Sequence, residues 1–244
     1  MTYKIDINCD VGEGVGNEAF LIPNISSCNI ACGGHAGDKE TMDTVVKLCK
    51  QFKVKAGAHP SFPDKENFGR QPMQISHNDL VASVKQQIEA LIVVLKENNV
   101  GMSHIKPHGA LYDMAAKNES IANAIIEVMR DYADIPLYVP FNSVMERMAI
   151  DNGLSIIYEG FADRNYNKDL RLVSRALPNA IITDSDEMFE HVHRMVVDKK
   201  VKLPSGEEVS IEAKTFCVHG DNPKAIELIE ALKTNLTNSG IKIM

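Results

Sequence analysis

The stretch HIKPHGALYD, from His104 to Asp113, places two histidines and one lysine around a proline and a glycine. A histidine can carry a proton near neutral pH, or bind a metal ion through a neutral ring nitrogen. Lys106 lies in a short strand-like run, and a lysine inside packed β-structure needs an anionic partner from the protein or from a substrate. This stretch therefore predicts a site that handles protons, anions or a metal ion.

Five further polar clusters follow short apolar runs of the chain: DVGEG, GGHAGD, HPSFPD, EGFADR and HGD. Carboxylates and histidines suit acid–base work and metal binding, whereas lysine and arginine bind phosphate or carboxylate groups. With the first stretch, the candidate residues are Asp10, Glu13, His35, His59, Lys106, His108, Glu159, Asp163, Arg164, His219 and Asp221. The last two precede a predicted helix N-terminus, whose free N–H groups also attract anions.

Structural interpretations of the same clusters stay open. They are a turn at Asp10 and Glu13, a backbone-bonded loop histidine at His35, a structural role for His59, an ion pair at Lys106, and a surface ion-pair cluster at Glu159, Asp163 and Arg164. A functional role is favoured over these structural ones where the fold can bring several of the clusters together.

Other candidates fit ordinary structure better. Cys28 and Cys32 lie near His35, but strand alternation turns both toward a helix-packed face, which indicates core cysteines rather than zinc ligands. The three histidines of helical segments are interpreted as solvated: His77, His191 and His193. GEGVG lacks the lysine of a nucleotide-binding P-loop.

Short apolar runs alternate with helical patterns, which is typical of βα repetition. Seven strands are predicted: Tyr3–Cys9, Cys28–Gly33, Val54–His59, Ser103–Pro107, Pro136–Pro140, Ser155–Gly160 and Lys214–His219. The predicted helices are Lys39–Phe52 with Asp38 as N-cap, Asn78–Asn98, and a last helix with Asn222 as N-cap and Pro223 as its first residue. VKLPSGEEVSIE predicts an antiparallel hairpin that turns at Ser205 and Gly206.

The polar residues of the strands favour a closed (β/α) barrel over an open doubly wound sheet. In DINCD, alternation places Asp6, Asn8 and Asp10 on one face and the apolar residues on the other. Helices cover both faces of an open parallel sheet, whereas a barrel lumen can hold polar side chains that converge toward its mouth. In a barrel the carboxyl ends of all strands share one rim, so the scattered clusters would line one pocket. With no linker or repeat visible, residues 1–244 are expected to form one barrel domain.

Composition narrows the class of protein. A net charge of −7 argues against binding to nucleic acid, which requires many lysines and arginines along the phosphates. No stretch resembles a signal peptide or a membrane-spanning segment, so a cytoplasmic protein with no membrane partner is expected. Five cysteines without regular spacing indicate reduced thiols.

Six ordered motifs together resemble the LamB/YcsF family: DINCDVGEG, NIACGGHAGD, AHPSFPD with FGR, KPHGALY, EGFADRNY and CVHGDNP. This resemblance implies a seven-stranded barrel related to the glycoside hydrolase and deacetylase barrels. It also implies ATP-dependent opening of 5-oxo-L-proline to L-glutamate, together with subunits B and C of 5-oxoprolinase. ATP and a divalent metal ion, Mg²⁺ or Zn²⁺, are the cofactors expected on this basis.

The implied activity assigns roles as hypotheses. The residues expected to be catalytic are Asp10, Glu13, His59, Lys106 and His108. Those expected to bind substrate or phosphate are Asn8, Arg70, Glu159, Asp163, Arg164, His219 and Asp221. Asp10, His35 and His59 form the expected metal-binding set. In this scheme Lys106 and Arg164 neutralise anions, Asp10 and Glu13 hold the divalent ion, and His59 or His108 moves protons.

Two other functions stay open. One is a stand-alone, metal-dependent amidohydrolase of the carbohydrate-deacetylase kind, with Asp10, His35 and His59 around one ion and no need for ATP. The other is a non-catalytic subunit whose rim only holds a ligand.

Overall fold

The computed structural model describes residues 3–220 and 224–244, in which strands and helices alternate. The strands are β1 (Lys4–Val11), β2 (Ser27–Ala31), β3 (Lys55–His59), β4 (Met102–Ile105), β5 (Leu137–Pro140), β6 (Ile156–Phe161), β7 (Lys200–Lys202), β8 (Glu208–Ser210), β9 (Thr215–Val218) and β10 (Lys242–Ile243). The helices are α1 (Glu18–Leu21), α2 (Lys39–Phe52), α3 (His77–Glu97), α4 (Gly109–Ala115), α5 (Glu119–Met129), α6 (Val144–Asp151), α7 (Ser185–Val197) and α8 (Ala225–Asn238).

Seven parallel strands form a closed barrel in the order β1, β2, β3, β4, β5, β6 and β9, and β9 pairs with β1 to close it. The predicted seven-stranded (β/α) barrel of the α/β class is therefore confirmed. The register places Asp10 of β1 opposite Asn29 of β2, and Asp6 of β1 opposite Thr215 of β9. Polar side chains of neighbouring strands thus meet inside the lumen.

Each of the seven predicted strands coincides with a barrel strand, and no end differs by more than two residues. The predicted hairpin is also present, because β7 and β8 pair antiparallel with Val201 opposite Val209. Strand β10, which pairs in parallel with the start of β1, was not predicted from the sequence. Its two residues are too few to show an alternating pattern.

The helices cover the outside of the barrel with apolar faces. Asp38 caps α2 as predicted, since its side chain accepts a hydrogen bond of 2.8 Å from the Thr41 N–H. Helix α3 begins one residue earlier than predicted, after Ser76, whose hydroxyl accepts from the Asp79 N–H. The predicted cap at Asn222 and the proline at 223 lie outside the described residues, and α8 begins at Ala225. No helix in the described part of the chain is long and apolar enough to cross a membrane.

The layer between strands and helices is apolar. Cys28 faces this layer as predicted, and its Sγ lies 3.1 Å from the Sγ of Cys49 on α2. His191 does not fit its prediction as a solvated residue, because it is buried on the inner face of α7 beside Met188 and Met195. Burial lowers the pKa of His191 to about 4, so the ring is neutral at pH 7.

Candidate functional site

A cavity of about 590 Å³ opens at the carboxyl ends of the barrel strands. Its polar floor is formed by Asp10, Glu13, His59, Lys106, His108 and Glu159. Its apolar wall includes Phe141, Phe161, Tyr166, Leu172, Val173 and Ile211. An apolar lining with a few converging charged groups is typical of a binding site for a small organic molecule.

Lys106 directly follows β4 and lies at the centre of the floor. Its Nζ is 2.9 Å from Asp10 Oδ1 and 2.9 Å from Glu159 Oε1, and the residue is only 2% exposed. Burial acts to lower the pKa of Lys106, but the charges of Asp10 and Glu159 outweigh it and hold the pKa well above its ordinary value. The two carboxylates therefore favour the charged ammonium form of Lys106 at neutral pH.

Asp10 links Lys106 to the lumen below. Its Oδ1 accepts from Lys106 and, at 2.7 Å, from Asn29 Nδ2. Asn29 Nδ2 also lies 2.8 Å from Asn8 Oδ1, and Asn29 Oδ1 is 2.7 Å from His104 Nε2. Burial opposes ionisation of Asp10, but His59 and Lys106 nonetheless hold its pKa well below the ordinary value. The amide of Asn29 thus fixes the carboxylate that holds the lysine.

Three histidines and one glutamate meet on the other side of Asp10: Glu13, His35, His59 and His108. One ligand atom from each lies within 4.8 Å of those of the others. Burial lowers the pKa of His35 and His108 to about 3, and burial together with Asp10 raises the pKa of Glu13. Neutral imidazoles beside a carboxylate are metal donors, so this group is a candidate metal site.

Of the expected metal-binding set, His35 and His59 belong to this group and Asp10 does not, while Glu13 and His108 belong to the group but not to the expected set. Asp10 Oδ2 lies 3.4 Å from His59 Nε2, whereas the carboxylate that His35 contacts is that of Glu13, at 2.9 Å. Glu13 lies in the loop after β1, and only the folded loop shows that its carboxylate reaches His35. Among the described residues a second group, Asp10, Cys217 and His219, also brings ligand atoms within 4.8 Å of one another. The Nζ of Lys106 lies 3.2 Å from the Sγ of Cys217, so a positive charge already occupies that position.

Two of the remaining predicted residues, Asp163 and Arg164, make hydrogen bonds within the protein. Asp163 is buried and accepts from the backbone N–H of His219 at 3.0 Å, and its Oδ1 lies 2.9 Å from His219 Nδ1. Arg164 lines the cavity, but its guanidinium donates to the carbonyls of Ala180 and Val173, which fastens the loop after β6. Because Glu159, Asp163 and Arg164 are buried, the surface ion-pair interpretation is wrong.

Arg70 also lines the cavity, with its Cζ 4.9 Å from the centre of the Phe68 ring. Asn8 lies below the floor and donates to Thr215 Oγ1 at 2.7 Å. Asp221 lies outside the described residues.

Two residues of the site were not predicted from the sequence, Asn29 and Tyr112. Tyr112 lines the cavity from α4, and burial and the Glu159 charge raise its pKa well above the ordinary value, so the hydroxyl keeps its proton. KPHGALY contains Tyr112, and the motif itself was a signal for it. Asn29 stands between apolar neighbours in a buried strand, which was the available signal for a lumen position.

Comparisons with known proteins agree on the family. Residues 5–244 match the model of the LamB/YcsF family. The chain is 41% identical to the A subunit of 5-oxoprolinase from Staphylococcus epidermidis, over 100% of this chain and 99% of that protein. It is 42% identical to the corresponding A subunit from Alkaliphilus metalliredigens, over 99% of this chain and 97% of that protein.

Solved structures show the same relationship. The crystal structure of a lactam utilization protein from Thermus thermophilus superimposes with a TM-score of 0.93 at 36% identity, covering 98% of both chains. A putative cellobiose-phosphate cleavage protein from Enterococcus faecalis shares only the fold, with a TM-score of 0.57 at 14% identity. On the match over nearly its whole length, the chain belongs to the LamB/YcsF family.

Proposed function

We propose that this chain is the ring-opening subunit of an ATP-dependent 5-oxoprolinase that works with subunits B and C. The complex converts 5-oxo-L-proline, ATP and two water molecules to L-glutamate, ADP and phosphate. The names of the relatives, the A subunit of 5-oxoprolinase and a lactam utilization protein, support the substrate. The observation that carries the proposal is the buried ammonium of Lys106 at the floor of the cavity.

The chemistry explains why such a group is needed. A lactam resists water because resonance stabilises its amide, and transfer of a phosphoryl group from ATP to the carbonyl oxygen removes this resistance. Water then adds to the carbonyl carbon, the C–N bond breaks as the nitrogen gains a proton, and an acyl phosphate remains. A second water molecule displaces phosphate and leaves the γ-carboxylate of glutamate. Each step places negative charge on the oxygens around one carbon.

The floor of the cavity suits these charges. Lys106 is held on two sides by Asp10 and Glu159, so its ammonium is already oriented before a substrate arrives. Tyr112 keeps its proton beside Glu159 and can donate to a substrate oxygen. Arg70, at the cavity wall, supplies a further positive charge for a carboxylate or a phosphate.

The test is glutamate formation from 5-oxoproline and ATP by the chain assembled with its partner subunits. We expect Lys106→Met to lower turnover by about 10²–10³-fold, which is the usual effect of losing one group that stabilises a developing oxyanion. The matched control is Lys55→Met, since Lys55 lies at the opposite end of the barrel with its Nζ 3.4 Å from Asp6 Oδ1. Assembly of each variant is checked by size-exclusion chromatography. Turnover of an assembled Lys106→Met enzyme within a few-fold of wild type would remove Lys106 from the mechanism.

A second candidate function is favoured by the group of Glu13 and three histidines, which matches the donors of a metal-dependent amidohydrolase. Such an enzyme would open an amide without ATP. Glutamate formation by the isolated chain in the absence of ATP would support it and contradict the proposal above. Unchanged turnover after single substitutions at Asp10, Lys106 and His108 would instead indicate a non-catalytic ligand-binding subunit.

A further inference from the structure

Two of the clustered histidines have their outward nitrogens committed to backbone carbonyls. His59 Nδ1 lies 2.8 Å from the carbonyl oxygen of Lys106, and His108 Nε2 lies 3.0 Å from that of Phe68. A carbonyl oxygen only accepts hydrogen bonds, so both of these nitrogens carry the ring proton. In a neutral ring the other nitrogen, Nε2 of His59 and Nδ1 of His108, then presents a lone pair.

These two lone pairs face each other across 3.0 Å, and two carboxylates stand beside them. Glu13 Oε1 is 3.3 Å from His108 Nδ1 and 3.9 Å from His59 Nε2, and Asp10 Oδ2 is 3.4 Å from His59 Nε2. Lone pairs and carboxylate oxygens repel one another unless a cation lies between them. A single proton bridges two atoms, whereas several donors around one point match a metal ion.

The spacing of the donor atoms fits a small transition-metal ion. Zinc binds nitrogen and oxygen at about 2.0–2.2 Å, which places tetrahedral donors roughly 3.4 Å apart. The donor separations of 3.0, 3.3 and 3.9 Å among Glu13, His59 and His108 lie around this value. Two imidazole nitrogens and one carboxylate favour zinc or cobalt over magnesium, which prefers oxygen ligands.

His35 is not placed to share this ion. Its ring is stacked on that of His108, with centroids 3.6 Å apart and planes within 2° of parallel. A ring nitrogen binds a metal in the plane of its ring, and parallel planes do not meet at a common point. The His59 ring, by contrast, is at 85° to that of His108. His35 also does not line the cavity, whereas Glu13, His59 and His108 do.

We propose that Glu13, His59 and His108 bind one divalent ion of the zinc class at the floor of the cavity, and that His35 is a positioning residue that donates a hydrogen bond to Glu13. Asp10 lies between this ion and Lys106, because its Oδ1 faces the lysine and its Oδ2 faces His59. The binding site stands independently of the proposed reaction. Its use rests on the proposed function: the ion would polarise the water that opens the lactam.

The first test is metal binding by the full chain, stripped with chelator and titrated with Zn²⁺ and Co²⁺ in a calorimeter. We expect one equivalent to bind, and the Co²⁺ absorption bands to report the donor set. His59→Asn, His108→Asn and Glu13→Gln should each weaken Zn²⁺ binding by more than 100-fold. His35→Asn should weaken it by about 10–100-fold, as outer-shell partners do, and keep the stoichiometry and the form of the Co²⁺ spectrum.

His77→Asn is the matched control, since His77 at the start of α3 pairs with Glu127 at 2.8 Å and its loss should leave the affinity unchanged. Thermal melting shows which variants fold. Failure of the folded wild type to bind either ion would overturn the proposal in favour of a proton shared between His59 and His108. A change of the Co²⁺ spectrum in His35→Asn with an unchanged spectrum in His108→Asn would show that the ligand set is wrong.

Activity of the assembled complex separates the site from its use. Stoichiometric binding combined with full glutamate formation after metal removal would retain the site and refute its part in ring opening. Stoichiometric binding by a complex that forms no glutamate from 5-oxoproline and ATP would retain the site and refute the proposed function. If turnover is lost when the ion is removed and returns when Zn²⁺ or Co²⁺ is added, both the site and its part in ring opening are supported.

Discussion

Gly57 of β3 is the point at which a single added methyl group should disturb both the fold and the site. A Cβ at this position would overlap the Nε2, Cε1 and Cδ2 atoms of the His104 ring. The ring cannot move aside, because it is stacked on Tyr138 with centroids 4.0 Å apart and its Nε2 is hydrogen bonded to Asn29. His104 is also buried, at 1% exposed.

The cost of Gly57→Ala follows from these contacts. Overpacking a filled core costs about 1–3 kcal/mol. Displacing the ring also breaks the His104 to Asn29 hydrogen bond and leaves a buried polar atom unpaired, which costs about 1–3 kcal/mol. Together these effects predict a loss of roughly 2–6 kcal/mol in the free energy of unfolding. Asn29 holds Asp10, so activity of the folded fraction should fall as well.

Urea unfolding followed by circular dichroism measures this loss. Gly101→Ala is the matched control, since a Cβ there meets nothing within 4 Å and the backbone is outside the left-handed region. The control should change the free energy of unfolding by less than about 1 kcal/mol. If Gly57→Ala were as stable as the control, the lumen would be looser than the structure shows, and its packing could not be what fixes the site.

Two further predictions concern the polar groups of the barrel. Asn29→Ala removes the amide that holds Asp10 at 2.7 Å, so we expect turnover of the assembled enzyme to fall at least 10-fold while KM changes little; a selective rise in KM would contradict a positioning role. For Asp163, burial opposes ionisation, but the charge and hydrogen bonds of His219 hold the pKa below its ordinary value. A depressed folded-state pKa stabilises the protein above the unfolded-state value, and this stabilisation is lost as the pH falls through the folded pKa. Asp163→Asn should therefore be less stable than wild type at pH 7, and the difference should shrink toward pH 3; a constant difference in urea unfolding would refute the linkage.

Alternation along the strands made the fold and much of the floor predictable. DINCD assigned Asp6, Asn8 and Asp10 to the lumen, and that assignment needed no knowledge of neighbouring strands. The burial of His191 could also have been predicted, since it follows Met188 by three residues and precedes Met195 by four on one face of α7. It was interpreted as solvated because its ring is polar, although its helical spacing matches that of the buried residues.

The contacts of the site that could not be predicted from the sequence depend on strand register, on loop conformation and on ring orientation. Asn29 faces Asp10 only because β1 and β2 pair in one register, which no spacing in the sequence reveals. Arg164 lines the cavity, where it was expected to bind an anion. Its hydrogen bonds to the carbonyls of Val173 and Ala180 could not be predicted, because both residues lie in a loop without a periodic pattern. From the sequence, His35 was expected to bind the metal ion and His108 to move protons. The orientation of the two stacked rings and the position of His108 in the cavity lining, neither of which the sequence reveals, favour His108 as the ligand instead.

The polar contacts of the lumen form one continuous chain from the base of the barrel to the floor of the cavity. Asp6 accepts from Ser27 and Thr215 at 2.6 Å, Thr215 accepts from Asn8, and Asn8 accepts from Asn29. Each of these groups is buried. A buried polar group that loses its partner costs more free energy than a typical hydrogen bond contributes to stability. This series of hydrogen bonds therefore strongly favours one arrangement of the side chains in the lumen. Because it ends on Asp10, which touches both Lys106 and His59, the same preference fixes the ammonium and the histidine group relative to each other.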